Sequence, residues 1–204
     1  MTPPKSVTLA FTGASGMPYG MRLLEQLLAS GIAVSLVYSQ SAQIVAKQEL
    51  DLSLPSRKQD AEAMLGLRYQ AQPQQLRVFG REEWYAPIAS GSNPSDAMVI
   101  CPCSMRTLAA LANGLADSLI ERAADVTLKE GRKLVLVPRE APFSALHLEN
   151  MLKLARLNVT ILPANPGFYH HPRSIEELVD FIVARILDQL HIPNQLVKRW
   201  GAEQ

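Results

Sequence analysis

Five short apolar runs, at residues 7–11, 32–38, 97–101, 133–137 and 159–162, alternate along this chain with segments of helical periodicity. Runs this short and apolar suit strands buried on both faces, and the helical segments supply the crossovers that parallel strands require. Such crossovers are right-handed, so helices are expected on both faces of one sheet. The expected fold is therefore α/β: a three-layer, doubly wound parallel sheet, Rossmann-like or flavodoxin-like, with residues 1–204 as a single domain. Sheets of this kind bind ligands at the carboxyl ends of their strands. That points to the loops after Phe11, Tyr38, Cys101, Val137 and Leu162.

The punctuation between the runs agrees with this order. Pro18 suits the first turn of a helix whose apolar positions include Met21, Leu24, Leu27 and Leu28, and Gly31 closes it. Further helices are expected over 41–50, 105–112, 118–129, 144–157 and 174–190, with stops at Gly114 and Gly131. Ser118 with Glu121, and Ser174 with Glu177, have the spacing of a capping box. Residues 51–83 are polar, proline-containing and weakly patterned, and no element is assigned there.

Composition removes several function classes. A 204-residue chain with 48% hydrophobic and 19% charged residues can build a full core. A formal net charge of +1 leaves no bulk footprint for nucleic acid or an anionic membrane. No apolar stretch reaches the roughly 18 residues needed to span a bilayer, and the first residues lack a signal-peptide pattern. Cys101 and Cys103 end an apolar run, are expected to point to opposite faces, and are too few for a structural zinc site. A soluble, reduced, cytoplasmic protein is the simplest expectation. His170 and His171 follow Tyr169, but adjacent imidazoles point apart, so no metal is expected.

Among the loops, Gly13-Ala14-Ser15-Gly16 follows the first run and opens a helix. Glycines allow a tight turn, small side chains leave room for an anion at free helical N–H groups, and Ser15 adds a hydroxyl. An ordinary strand-to-helix turn that binds nothing has the same composition. The loop is neither a G-x-G-x-x-G nor a Walker sequence, and Tyr38-Ser39-Gln40 offers no carboxylate for a ribose. A mononucleotide with a phosphate and a polyol tail fits better than a dinucleotide. Cys101-Pro102-Cys103-Ser104-Met105-Arg106-Thr107 again places small hydroxyl residues at a helix start, where Ser104 is at least an N-cap. Arg139 and Glu140 end a buried run, as active-site groups or as a surface ion pair. Arg185 borders the stripe of Leu178, Val179, Ile182 and Ile186 and reads most plainly as a snorkelling side chain.

Six ordered blocks then carry a resemblance. They are Thr12-Gly13-Ala14-Ser15-Gly16, Ala86-Pro87-Ile88-Ala89-Ser90-Gly91-Ser92, Pro102-Cys103-Ser104-Met105, the stretch from Arg122 to Glu130, the stretch from Leu134 to Glu140, and the stretch from Pro163 to Tyr169. Over most of its length the chain resembles the UbiX family of flavin prenyltransferases, and least over 51–83. The resemblance implies metal-free transfer of a dimethylallyl group from dimethylallyl phosphate to reduced flavin mononucleotide (FMN), closing a ring across N5 and C6. It implies that the product serves a UbiD-type decarboxylase, with ubiquinone biosynthesis as the pathway. Flavin contacts are implied at Gly13, Ala14, Ser15, Ser39, Ser104, Met105, Arg106, Thr107 and Arg139. Prenyl phosphate contacts are implied at Arg122, Lys129, Tyr169 and Arg185. Sites shared between subunits are also implied, usually in dodecamers, with Arg122 and Lys129 reaching a neighbour's site.

That residue set makes chemical sense. A monophosphate leaving without a metal needs several donors to stabilise its growing charge, which Lys129 and the arginines supply. Trp84, or the flavin itself, offers an aromatic wall to the electron-poor allylic fragment. Glu140 and Ser15 are candidates for handling protons near flavin N5, with Glu140 alternatively a structural partner of Arg139. Two rivals remain. A flavin-dependent decarboxylase of cysteine-like carboxylates would share the fold and the flavin loop. A non-catalytic flavin carrier would need the phosphate loop but not Arg122, Lys129, Tyr169 and Arg185.

Overall fold

The computed structural model describes residues 2–199 and 201. Its strands are β1 (Ser6–Phe11), β2 (Ala33–Tyr38), β3 (Leu76–Phe79), β4 (Ala97–Cys103), β5 (Lys133–Pro138) and β6 (Thr160–Ile161). Its helices are α1 (Met17–Ala29), α2 (Gln40–Leu50), α3 (Lys58–Arg68), α4 (Met105–Ala112), α5 (Leu119–Lys129), α6 (Ala145–Arg156) and α7 (Ile175–Gln189). The strands form one six-stranded sheet in the order β3-β2-β1-β4-β5-β6, and every pairing is parallel. The winding reverses between β1 and β4, so the loops leaving these two strands diverge to opposite faces and open a crevice. The α/β doubly wound expectation is met.

Alternation along the strands builds two cores. Val7, Leu9 and Phe11 of β1 and Val99 of β4 pack with α1, α2, α3 and α7 on one face. Ala10, Met98, Ile100 and Leu136 pack with α4, α5 and α6 on the other. The helical glycine Gly20 lets α1 approach the sheet closely, because a Cβ there would strike the Cys101 carbonyl oxygen and lie 2.9 Å from the Phe11 ring. Residues two apart in a regular strand share a face, yet Cys101 and Cys103 belong to different cores. The β4–β5 register shifts between Ile100 and Cys103, which turns them apart. Both thiols are free, and burial raises both, Cys103 to about 12.

Several expectations needed correction. Residues 51–83 contain α3 and the edge strand β3. Only Ala61 and Leu65 of α3 are buried, so its apolar stripe is too thin to read. The run at 159–162 pairs only over Thr160–Ile161. Ser118 makes no side-chain cap bond, and Glu121 turns away from its own helix end toward Arg106, at 3.5 Å. A guanidinium from α4 outcompetes a neutral N–H for that carboxylate. The box at Ser174 is half formed: its Oγ accepts the Glu177 N–H at 3.3 Å, whereas the Glu177 carboxylate accepts from Arg173 N at 2.8 Å. A complete box forms instead at Ser144, with His147 in place of the usual Glu or Gln. Among the described residues no helix is long and apolar enough to cross a membrane.

Candidate functional site

Three strand ends are tied together at the switch point. The Thr12 hydroxyl donates to the Pro102 carbonyl at 2.7 Å and accepts the Ser104 N–H at 2.8 Å, clipping the loop after β1 to the loop after β4. The Ser39 N–H donates to the Phe11 carbonyl at 3.0 Å, adding the end of β2. Gly13 permits this closeness, since a Cβ there would collide with the Ser41 side chain. Gly16, at φ 114°, takes a backbone conformation that favours glycine and turns the chain into α1.

The N–H groups expected to be free at the start of α1 are partly engaged. Glu49, near the end of α2, accepts from Gly16 N at 3.0 Å and from Met17 N at 2.8 Å. A carboxylate of the chain itself thus sits where the sequence reading placed an anionic ligand, satisfying the helix dipole from within. Nothing in the sequence links Glu49 to a turn more than thirty residues upstream.

The starts of α2 and α4 are different. Ser39 caps α2 by accepting the Ala42 N–H at 3.1 Å, and Ser104 caps α4 by accepting the Thr107 N–H at 3.3 Å. Both helix starts line a cavity of about 550 Å³ with Thr12, Gly13, Arg81, Arg106, Asp117, Ser118 and, from α5, Ile120 and Glu121. Two helix N-termini and two arginines favour a phosphate at this end, while hydroxyl and carboxylate side chains suit a polyol. The residues therefore fit an FMN phosphate and side chain. Of the expected flavin residues, Gly13, Ser39, Ser104, Arg106 and Thr107 line this cavity. Ala14, Ser15, Met105 and Arg139 are not in its lining, nor are Glu140 and Trp84. Arg81, Asp117 and Glu121 were missed: Arg81 lies in the unpatterned segment, and Glu121 has the disguise of a capping residue.

The remaining candidates are spread around this centre. Glu140 accepts the Ala141 N–H at 3.1 Å and makes no ion pair with Arg139. Trp84 is half-exposed on the loop between β3 and β4. His170 stacks on Phe181 at 5.2 Å, and no cluster of three metal-ligating side chains occurs among the described residues.

Comparison with known proteins decides what this frame belongs to. The Flavoprotein family profile matches residues 1–187. The flavin prenyltransferase UbiX of Pseudomonas aeruginosa is 56% identical over 203 residues, spanning 100% of this chain and 97% of that protein. The chain belongs to the UbiX family of flavin prenyltransferases. The UbiX family structure AnUbiX (PadA1), solved with FMN and dimethylallyl pyrophosphate, superposes with a TM-score of 0.86 at 37% identity, covering 98% of this chain and 100% of that one. A dodecameric FMN-dependent UbiX-like decarboxylase from Escherichia coli gives 0.85 at 40% identity, covering 97% and 100%. The peptidyl-cysteine decarboxylase EpiD, at 15% identity and a TM-score of 0.58, shares the fold alone.

The four residues that UbiX-family resemblance assigns to prenyl phosphate fall into two pairs. On α5, Arg122 donates from Nε to the Ala89 carbonyl at 3.0 Å and pairs with Asp125 at 3.1 Å, while Lys129, two turns on, pairs with Glu130. Tyr169 packs edge-on against Phe181 of α7 at 5.8 Å, and Arg185, one turn further along α7, pairs with Asp188 at 2.9 Å. The α5 pair stands in the helical layer of one core and the α7 pair in the layer of the other.

Proposed function

We propose that this chain is a flavin prenyltransferase, transferring a dimethylallyl group from dimethylallyl phosphate to reduced FMN without a metal. The observation that carries the reading is the cavity where the starts of α2 and α4 converge with Arg106 at the sheet's switch point. It is chemically matched to a polyol phosphate, in a chain 56% identical to a flavin prenyltransferase. Reduced FMN, when bound, supplies the nucleophilic N5 and C6 that the prenyl group joins.

The side chains divide the work. Ser39, Ser104, Thr107 and Arg106 hold the flavin phosphate with helix N–H groups, hydroxyls and a guanidinium, while Gly13 and Ala14 leave room beside it. Met105 and Arg139 complete the flavin contacts. Arg122, Lys129, Tyr169 and Arg185 grip the prenyl phosphate and stabilise the charge it gains as it leaves. Trp84 shields the electron-poor allylic fragment. Ser15 and Glu140 take and return protons near N5, a role for Glu140 favoured by its lack of an ion pair with Arg139.

The separation of the α5 and α7 pairs supports a site completed by a second copy of the chain, in which Arg122 and Lys129 reach the Tyr169 and Arg185 of a neighbour. Exposed Leu146, Leu148 and Leu152 on α6 supply apolar surface for such an assembly, a dodecamer in our reading. We take residues 1–204 as one flavin-binding domain working in the cytoplasm, where both buried thiols stay reduced. A UbiD-type decarboxylase is the recipient of the prenylated flavin, and ubiquinone biosynthesis the pathway served.

The test is anaerobic incubation with reduced FMN and dimethylallyl phosphate, followed by mass analysis of the extracted flavin. The expected product carries one added prenyl group. Unmodified flavin would leave a carrier, and loss of carbon dioxide from a supplied cysteine-like acid would reveal a decarboxylase. The same assay with the diphosphate donor measures the leaving-group preference.

A further inference from the structure

Glu121 is buried at the cavity wall in a way that the proposed chemistry leaves unexplained. Its side chain is 3% exposed, and its Oε1 lies 3.5 Å from Nη1 of Arg106, whose own side chain is 80% exposed. Its Oε2 is buried and has no hydrogen-bond partner among the described residues. Asp117, Ser118 and the apolar Ile120 stand beside it on the wall, and Leu119 is fully buried. Helix capping, the ordinary use for an acid in a first turn, is not its role, because Ser118 caps nothing and Glu121 faces α4.

A buried carboxylate with one oxygen left unpartnered is destabilising relative to an apolar side chain of similar size. An acceptor-only group in this position matches a ligand that brings a donor. The starts of α2 and α4 with Arg106 provide for a phosphate, and the matching donor for Glu121 is a hydroxyl on the same ligand a few atoms on: an alcohol. We propose that Glu121 accepts a hydrogen bond from a side-chain hydroxyl of the flavin while its other oxygen holds Arg106 toward the phosphate. The pair thereby selects a polyol phosphate over a phosphate on a plain alkyl chain. This inference rests on the reading of the cavity as an FMN site.

The experiment is an equilibrium titration, followed by flavin fluorescence, of FMN and of an isoalloxazine whose N10 substituent is a phosphopentyl chain without hydroxyls. It compares the wild-type chain with Glu121→Gln and Glu121→Leu. A hydrogen bond to a charged group leads us to expect a wild-type preference for FMN of about tenfold or more. In both variants that preference falls below about threefold, because FMN loses the hydroxyl contact as well as the positioning of Arg106, whereas the phosphopentyl analogue loses only the positioning of Arg106. Glu121→Leu also unfolds at a temperature equal to or above that of wild type, which a merely structural carboxylate would not allow. The proposal is overturned if either variant keeps the wild-type preference, or if both ligands weaken equally. A wild-type chain that binds neither flavin would instead remove the FMN reading itself.

Discussion

The turns that follow β1 and β4 look alike in sequence and behave differently in the fold. Each leaves a central strand, each is built of small residues, and each starts a helix that could hold an anion. After β1, the Gly16 and Met17 N–H groups are bonded to Glu49, so the chain neutralises its own helix end. After β4, Ser104 caps α4 by bonding the Thr107 N–H, and the turn opens onto the cavity beside Arg106. A helix start has a fixed number of N–H groups, and whichever acceptor the tertiary structure brings closest takes them. Glycine content reports that an anion can approach. It does not report whether one of the chain's own carboxylates already has.

Four experiments sharpen or break this contrast, from the largest expected effect to the smallest. Gly20→Ala forces a methyl group into the Cys101 carbonyl and the Phe11 ring, where α1 packs on the ends of β4 and β1. It is expected to cost about 3 kcal/mol in urea unfolding. Tolerance of the methyl group would mean that α1 does not press on the β4 turn. Glu49→Ala releases two N–H groups and a charge at the α1 start, and is expected to cost about 2 kcal/mol. Sulfate should then raise the melting temperature of this variant more than that of wild type. An equal salt response would show that α1 holds no latent anion site.

Arg106→Ala tests the other turn. FMN binding should weaken about tenfold, or roughly 1.4 kcal/mol, while riboflavin, which lacks the phosphate, binds as before. Equal losses for both ligands would place the phosphate elsewhere. The smallest effect concerns β4 itself. Burial holds Cys103 up to about 12 from an ordinary 9.0, and Cys101 is likewise raised. A thiol raised in the fold favours the folded state below the unfolded value, and this contribution is lost as pH rises above it. Alkylation at pH 8 should therefore be negligible in buffer and fast in urea, and the folded chain should lose stability above about pH 9. Rapid labelling of the native protein would contradict the packing of β4.

Helix limits and strand ends were legible where the pattern was thick. The stripe Met21, Leu24, Leu27 and Leu28 marks α1, and all four side chains are buried. Helix α3 escaped because it buries only Ala61 and Leu65, and β3 because four residues, three of them buried, are too few to show a period. The missed edge matters to the site, since Arg81 follows β3 and reaches the cavity. Glu121 was misread because Ser118-x-x-Glu121 is a real local signal that loses to a stronger long-range one. Local spacing ranks an N–H three residues away, whereas the fold supplies Arg106 from another helix.

By itself the sequence determined the α/β winding, the strand ends to search and, through family resemblance, the flavin chemistry. These are properties of periodicity, turn chemistry and ordered motifs, all written along one line. Only the tertiary structure decided which of two similar helix starts faces the cavity, that Glu49 closes the first, and that the α5 and α7 pairs stand in different layers. Those outcomes depend on distances between residues remote in sequence, and hydrogen bonds and charges act over distances in space.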